Sequence, residues 1–222
     1  KKLINCDLGE CLTPNLDQQI MPVIDMANIA CGGHAGNDES MIKTIKLAVE
    51  NNVTIGVHPS YEDKSNFGRV SFNLSSDELY DLIHAQVLHF QKLCAQNGAK
   101  LKYVKPHGAL YHDMSNNQKV LDAMCKVIKA VDKNLALVVQ AGDKNLGNNE
   151  NVTFLHEVFA DRGYDGIEML ARGKQGAVLG SPDAIVKQYQ RFLSEKLFKI
   201  DTICFHSDNS ASVEALKRLN HA

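Results

Sequence analysis

The sequence lacks the features that would place a protein in a membrane or on nucleic acid. No stretch approaches the roughly 20 apolar residues of a membrane-spanning helix. No run of Lys and Arg interleaved with aromatics occurs, and the formal charge of the 222 residues is only −2, so neither a membrane nor a phosphate backbone is an expected partner. None of the six cysteines forms a Cys-x-x-Cys pair, which argues against a structural zinc site. A chain this long, with 44% hydrophobic residues, can bury a core without disulfides, and reduced thiols are expected. Cys6, Cys31 and Cys204 lie in apolar runs, where a free thiol packs as a small hydrophobe. A Gly-x-x-x-x-Gly-Lys-Ser/Thr loop is missing, since Gly173-Lys174-Gln175-Gly176 has the wrong spacing, and so are a Gly-x-Ser-x-Gly elbow and a His-Glu-x-x-His helix. Their absence removes the P-loop nucleotide site and two common hydrolase types. The start, Lys1-Lys2-Leu3-Ile4-Asn5-Cys6-Asp7, turns polar too early for a signal peptide, and a cytoplasmic location is expected.

What is present is a regular alternation. Short apolar runs at Leu3–Cys6, Ala27–Cys31, Thr54–Val57, Leu101–Val104, Leu135–Ala141, Thr153–Phe159 and Thr202–Phe205 read as buried parallel strands. Segments with helical periodicity separate them: Glu39–Asn51, Ser76–Asn97, Asn116–Val131, Pro182–Glu195 and Ser210–Leu219. Ser76-Asp77-Glu78-Leu79, Ser181-Pro182-Asp183 and Asp143-Lys144 look like helix starts. No linker or low-complexity stretch divides the chain, so one domain over residues 1–222 is expected. The fold class is α/β, and a (β/α) barrel of about seven strands is preferred over an open sheet. The reason is that polar signatures follow nearly every strand, whereas an open sheet gathers them at one switch point.

Those signatures are Asn5-Cys6-Asp7-Leu8-Gly9-Glu10, Cys31-Gly32-Gly33-His34-Ala35-Gly36, Val57-His58-Pro59-Ser60, Val104-Lys105-Pro106-His107-Gly108, Glu157-Val158-Phe159-Ala160-Asp161-Arg162 and Phe205-His206-Ser207-Asp208. In a barrel all of them reach one rim, where catalytic groups sit. Asp7 and Glu10 suit a general base and its partner carboxylate, because a base working near neutral pH needs a pKa raised by burial or a neighbour; the alternative is turn chemistry around Gly9. His34 lies among small residues that would leave its imidazole accessible. His58 ends a strand and is read as substrate-binding, with a hydrogen-bonded core histidine as the plain alternative. Lys105, entering from a buried strand, needs a negative partner, either a substrate anion or an internal carboxylate such as Asp7 or Glu157. Arg162 and Arg172 suit bidentate binding of a carboxylate, or a structural bridge. Tyr111 reads as packing, and His84, His89, His112, His156 and His221 as exposed. The site set is therefore Asp7, Glu10, His34, Lys105 and His107 for catalysis, and His58, Asp161, Arg162, Arg172, His206 and Asp208 for substrate.

These motifs, together with Ala27-Asn28-Ile29-Ala30-Cys31-Gly32, His58-Pro59-Ser60-Tyr61, Phe67-Gly68-Arg69 and Lys105-Pro106-His107-Gly108-Ala109-Leu110-Tyr111, resemble the LamB/YcsF (lactam utilisation) family, which supplies the A subunits of ATP-dependent bacterial 5-oxoprolinases. The resemblance runs from Asn5 to Asp208. It departs at Gly33, Asn37 and Val70, where the family commonly has Phe, Asp and Arg, and at Cys11–Asn15, which lacks the usual Phe-Gly. The resemblance implies a barrel related to glycoside hydrolases and deacetylases. It also implies cleavage of 5-oxo-L-proline to L-glutamate with partner subunits B and C, and ATP as co-substrate. With no nucleotide motif in this chain, ATP is expected on the partners, and no metal is assigned. Self-association is left open. Two other readings stand beside this one: a stand-alone, metal-dependent C–N hydrolase or deacetylase with Asp7, His34 and His58 as ligands, and a non-catalytic lactam-binding subunit.

Overall fold

All seven apolar runs form parallel strands in the computed structural model, which describes every residue except 144, 145, 147, 148, 150 and 220–222. They are β1 (Leu3–Leu8), β2 (Met26–Ala30), β3 (Thr54–His58), β4 (Leu101–Val104), β5 (Ala136–Gln140) and β6 (Thr153–Phe159). A two-stranded hairpin, β7 (Tyr164–Asp165) and β8 (Glu168–Met169), stands apart before the last barrel strand, β9 (Thr202–Phe205). The barrel strands pair in chain order, and β9 closes the cylinder between β6 and β1, with Leu3 opposite Thr202 and Cys6 opposite Phe205.

The two-residue period of a strand sorts side chains between helix layer and barrel interior. On β1, Cys6 and Leu8 join the hydrophobic core, whereas Asn5 and Asp7 turn inward to a polar layer that includes Asn28 of β2 and Glu157 of β6. The expected helices surround the sheet: α2 (Asp38–Glu50), α3 (Ser76–Gln96), α5 (Gln118–Val131), α6 (Pro182–Ser194) and α7 (Ser210–Leu219). Local chemistry sets their starts. Asn37 and Ser40 close a reciprocal capping box on α2, and Ser75 with Glu78 closes another on α3, each satisfying amide donors that the first helical turn leaves free. At α6, Ser181 caps and Pro182 takes the first turn, where its missing N–H costs nothing.

Three elements were not legible as separate units. The helix expected over Asn116–Val131 is α5, starting two residues later; the separate α4 (Gly108–Asn116) before it was not expected, and Asn117, out of the helical region, ends α4 and caps α5 through Lys119 N. Helix α1 (Leu16–Ile20) spans five residues, too few to show a period, and the β7–β8 hairpin is shorter still. The helix start at 143–144 and the reading of His221 reach residues outside those described. His156 sits on β6, half-buried. All six cysteines are free, and among the described residues no helix is long and apolar enough to cross a membrane.

One close approach fixes the β3–β4 register. Pairing slips between Ile55–Leu101 and Gly56–Tyr103, and the Tyr103 ring then lies against Gly56, where a Cβ would come within 2.1 Å of its Cε2. The same ring's hydroxyl donates to Asn28 Oδ1 at 2.7 Å, so it cannot move aside without unmaking the interior layer. Gly56→Ala is expected to cost about 1–3 kcal/mol, read as a lowered urea midpoint at unchanged slope.

Candidate active site at the rim of the barrel

The floor of the site is a buried ammonium. Lys105 follows β4 directly and is 2% exposed. Its Nζ lies 3.1 Å from Asp7 Oδ1, 3.0 Å from Glu157 Oε1, 3.2 Å from Asn5 Oδ1 and 3.1 Å from Cys204 Sγ. Burial alone would drive its proton off, but Asp7, Cys204 and Glu157 outweigh that and hold its pKa well above the ordinary lysine value. Asn28 Nδ2 donates to both Asn5 Oδ1 (2.7 Å) and Asp7 Oδ1 (2.8 Å), and Asn5 Nδ2 donates to Glu157 Oε1 at 2.8 Å. An ammonium has three donors, and four acceptors surround this one. Lys105 is therefore paired with Asp7 and Glu157, the internal partners that the sequence reading offered, and it also lines the cavity above.

Above the floor the two acids separate. Burial would raise the Asp7 carboxyl, yet Lys105, then His58 and His206, bring it well below its usual range. Glu10 moves the other way: burial first, then the charges of Asp7 and Asp208, push it well above. Neighbouring carboxyls driven apart in this manner are the pattern of an ionised stabiliser beside a proton-transferring group. Of the two, Glu10 has the raised pKa that the sequence reading asked of a base, and Asp7 the lowered one.

Three imidazoles crowd beside Glu10. His34 Nε2 sits 3.0 Å from Glu10 Oε1 and His34 Nδ1 3.2 Å from Ser60 Oγ. The His34 and His107 rings stack with centroids 3.6 Å apart. His58 and His107 meet edge on, nitrogen to nitrogen at 3.0 Å. Burial lowers His34 to about 3, and burial together with the other imidazoles lowers His107 well below the ordinary histidine value. Across the barrel, His206 Nδ1 donates to Asp161 Oδ1 at 2.8 Å, and its ring stacks on Phe159. Burial opposes the charge, but Asp161 wins and raises His206 above 6.5.

These groups open into a cavity of about 850 Å³ lined by Asp7, Glu10, His58, Lys105, His107, Arg172, His206 and Asp208. Two expected site residues lie behind it. His34 was expected to be accessible, but its side chain is fully buried; the small neighbours serve packing, since a Cβ on Gly33 would fall 2.5 Å from Ser60 Oγ. Asp161, also buried, orients His206 and does not reach the cavity. Arg162 reaches it but gives Nε to Ala177 O (2.8 Å) and Nη2 to Leu170 O (2.7 Å), which makes it a brace for the loop after β6. Arg172 is exposed and lines the cavity. Asp208 pairs with Arg69 across the opening. Sequence reasoning did not single out Asn5, Asn28, Tyr103 or Arg69; the signal for the two asparagines was a polar residue at an inward position of an otherwise apolar strand.

The sequence model of the LamB/YcsF family matches residues 3–222. The chain belongs to this family. Among LamB/YcsF relatives, the 5-oxoprolinase A subunit of Pseudomonas fluorescens is 40% identical, covering 99% of this chain and 96% of that protein. The Vibrio cholerae 5-oxoprolinase A subunit is 38% identical with the same coverage. The lactam utilization protein of Thermus thermophilus superposes with a TM-score of 0.89 at 27% identity, over 100% of this chain and 96% of that one. A family 4 carbohydrate esterase from Streptomyces lividans, at TM-score 0.51 and 14% identity over 99% of this chain and 86% of that one, shares the fold. The seven-strand (β/α) barrel that the resemblance implied is thus the one observed.

Two measurements check this LamB/YcsF site. Lys105→Met strands Asp7 and Glu157 without a countercharge and is expected to cost about 3–5 kcal/mol in urea denaturation. His206, raised by Asp161, adds stability that is whole below its unfolded value near 6.5 and is lost as pH rises through the higher folded value. Urea midpoints measured across that interval should fall with pH in the parent and lose this component in His206→Gln.

Proposed function

We propose that this chain is the hydrolytic subunit of an ATP-dependent 5-oxoprolinase, opening 5-oxo-L-proline to L-glutamate in complex with partner subunits B and C. The observation that carries the reading is the convergence of Glu10 and the Asp161-bound His206 on one cavity above the Lys105–Asp7 pair, with Asp7 lowered and Glu10 raised. Ring opening needs a base for water, donors for the developing oxyanion and a proton for the departing nitrogen. Glu10, lining the cavity, takes the proton from water as its oxygen bonds the lactam carbonyl carbon. His206, protonated against Asp161, faces the same space from the opposite wall and gives a proton to the ring nitrogen as the C–N bond breaks. Arg172 at the mouth suits the substrate carboxylate.

An unstrained lactam is stable, so hydrolysis must be coupled to ATP. Phosphorylating the lactam oxygen would make the ring carbon electrophilic: water adds there, the C–N bond breaks with both water protons ending on the nitrogen, and the γ-glutamyl phosphate so formed is hydrolysed by a second water to L-glutamate and phosphate. The chain has no P-loop spacing, which supports placing that step on the partners. An activated intermediate would react with bulk water if released, so its transfer requires the subunits to be in contact.

ADP and glutamate release tests the reading. The chain alone is expected to produce neither, and the mixture with its partners to produce both in coupled amounts. Glu10→Gln should lower glutamate formation by the complex at least ~10²-fold. In the unsubstituted complex, kcat/KM should fall as pH drops through a value above the ordinary 4.5 of glutamate. Glutamate made from 5-oxoproline by the lone chain without ATP would replace this reading with a stand-alone hydrolase.

A further inference from the structure

The three imidazoles beside Glu10 pose a problem of proton accounting. His58 Nδ1 lies 2.6 Å from the carbonyl oxygen of Lys105, and His107 Nε2 lies 2.9 Å from that of Phe67. A carbonyl only accepts, so each of these nitrogens carries the ring's hydrogen. The other nitrogens, His58 Nε2 and His107 Nδ1, are then bare in the neutral rings, and they are 3.0 Å apart. Two lone pairs at that distance repel. The remaining neighbours are also acceptors: Asp7 Oδ1 is 3.5 Å from His58 Nε2, and Glu10 Oε1 is 3.7 Å from His107 Nδ1. All four residues are at least nine-tenths buried.

The protein holds this arrangement against a cost. Phe67 has φ +55° and Gly68 φ +64°, two left-handed residues in succession, with a penalty of about 1–3 kcal/mol for the non-glycine one. The turn places the Phe67 carbonyl on His107. A Cβ on Gly68 would lie 2.9 Å from His107 Cδ2 and 2.9 Å from His34 Cβ, so the backbone itself is packed against the ring pair.

We infer that His58 Nε2 and His107 Nδ1, with the carboxylate oxygens of Asp7 and Glu10, form a binding site for a first-row divalent cation. Imidazoles that ligate a metal give their other N–H to a carbonyl or carboxylate, as both rings do here. With metal–ligand distances of about 2.1 Å, neighbouring ligand atoms stand about 3.0 Å apart in an octahedron and about 3.4 Å in a tetrahedron, against the 3.0, 3.5 and 3.7 Å found. Two nitrogens and two carboxylates favour Zn²⁺, Co²⁺ or Mn²⁺ over Mg²⁺ or Ca²⁺. The donor set differs from the Asp7, His34 and His58 triad that the sequence suggested: His34 turns to Ser60 and Glu10, and His107 takes its place. The inference shares Asp7 and Glu10 with the proposed hydrolytic site but not its substrate, and with a cation bound Glu10 is a ligand, so the proton-accepting role proposed for it belongs to the cation-free chain.

Purified chain, stripped with chelator, is titrated with CoCl₂ and then ZnCl₂. We expect visible bands of nitrogen-coordinated Co²⁺ saturating at one equivalent, displaced by Zn²⁺, and a rise in melting temperature with Zn²⁺. His58→Gln and His107→Gln should each weaken Zn²⁺ binding at least ~100-fold, the upper end of what losing a group that only orients a ligand costs. If either variant fails to fold, the Co²⁺ spectrum of the unsubstituted chain decides. No saturable uptake at micromolar metal, with ¹⁵N NMR showing one proton shared between the two rings, would overturn the site. So would Zn²⁺ affinity unchanged in both variants. Turnover with partners is measured separately, so either claim can fail while the other stands.

Discussion

Everything at the mouth of this barrel depends on one ammonium group kept in its interior. A lysine that is 2% exposed would ordinarily shed its proton. Lys105 keeps it because the inward positions of β1, β6 and β9 supply Asn5, Asp7, Glu157 and Cys204 around it. The charge then acts upward. It lets Asp7 remain an anion in a place where burial alone would protonate it, while burial, and after it the Asp7 charge, raises Glu10. The charge in contact with Asp7 thus helps to separate the two carboxyls that line the cavity.

The walls extend the same logic. On one side Asp161 holds His206 protonated from behind, leaving the ring facing the cavity. On the other, burial and mutual crowding keep His34 and His107 neutral, and backbone carbonyls take the outer N–H of His58 and His107. One wall is thereby a donor and the other a concentration of acceptors. The split suits a reaction in which one group takes a proton from water and another returns one to a departing nitrogen, and it leaves room on the acceptor side for a cation.

Much of this was legible in the sequence. The seven runs of apolar residues became seven strands because a buried parallel strand needs nothing more than a short apolar stretch between polar turns; of the helix caps, Ser181 was read from the sequence, the α3 cap is Ser75, one residue before the start read at Ser76, and Asn37 was not read. The strand-end motifs located the rim correctly, since barrel geometry brings every such end to one face. Depth was not legible. His34 and Asp161 stand at the ends of their strands just as His58 and His206 do, yet they lie one layer back, a distinction made by contacts between distant segments such as Ser60 with His34 and Asn209 with Asp161. The polar interior layer was missed for a related reason: Asn5 and Asn28 each read locally as one polar residue in an apolar run, and only the pairing of β1 with β2 sets Asn28 against Asp7, as the barrel interior sets Asn5 against Lys105. Arg162 looked like a substrate clamp until the loop that it braces was in place.

The central claim is that Asp7 and Glu10, neighbours in one site, hold opposite protonation states because Lys105 lies beneath the first. The direct test is a carboxyl ¹³C NMR titration of the chelator-treated chain, with the two signals assigned through Asp7→Asn and Glu10→Gln. The account predicts that Glu10 titrates well above the ordinary glutamate value, while Asp7 stays ionised through the range in which exposed aspartates protonate. Two ordinary titrations, or Asp7 taking up its proton before Glu10 as the pH is lowered, would contradict it.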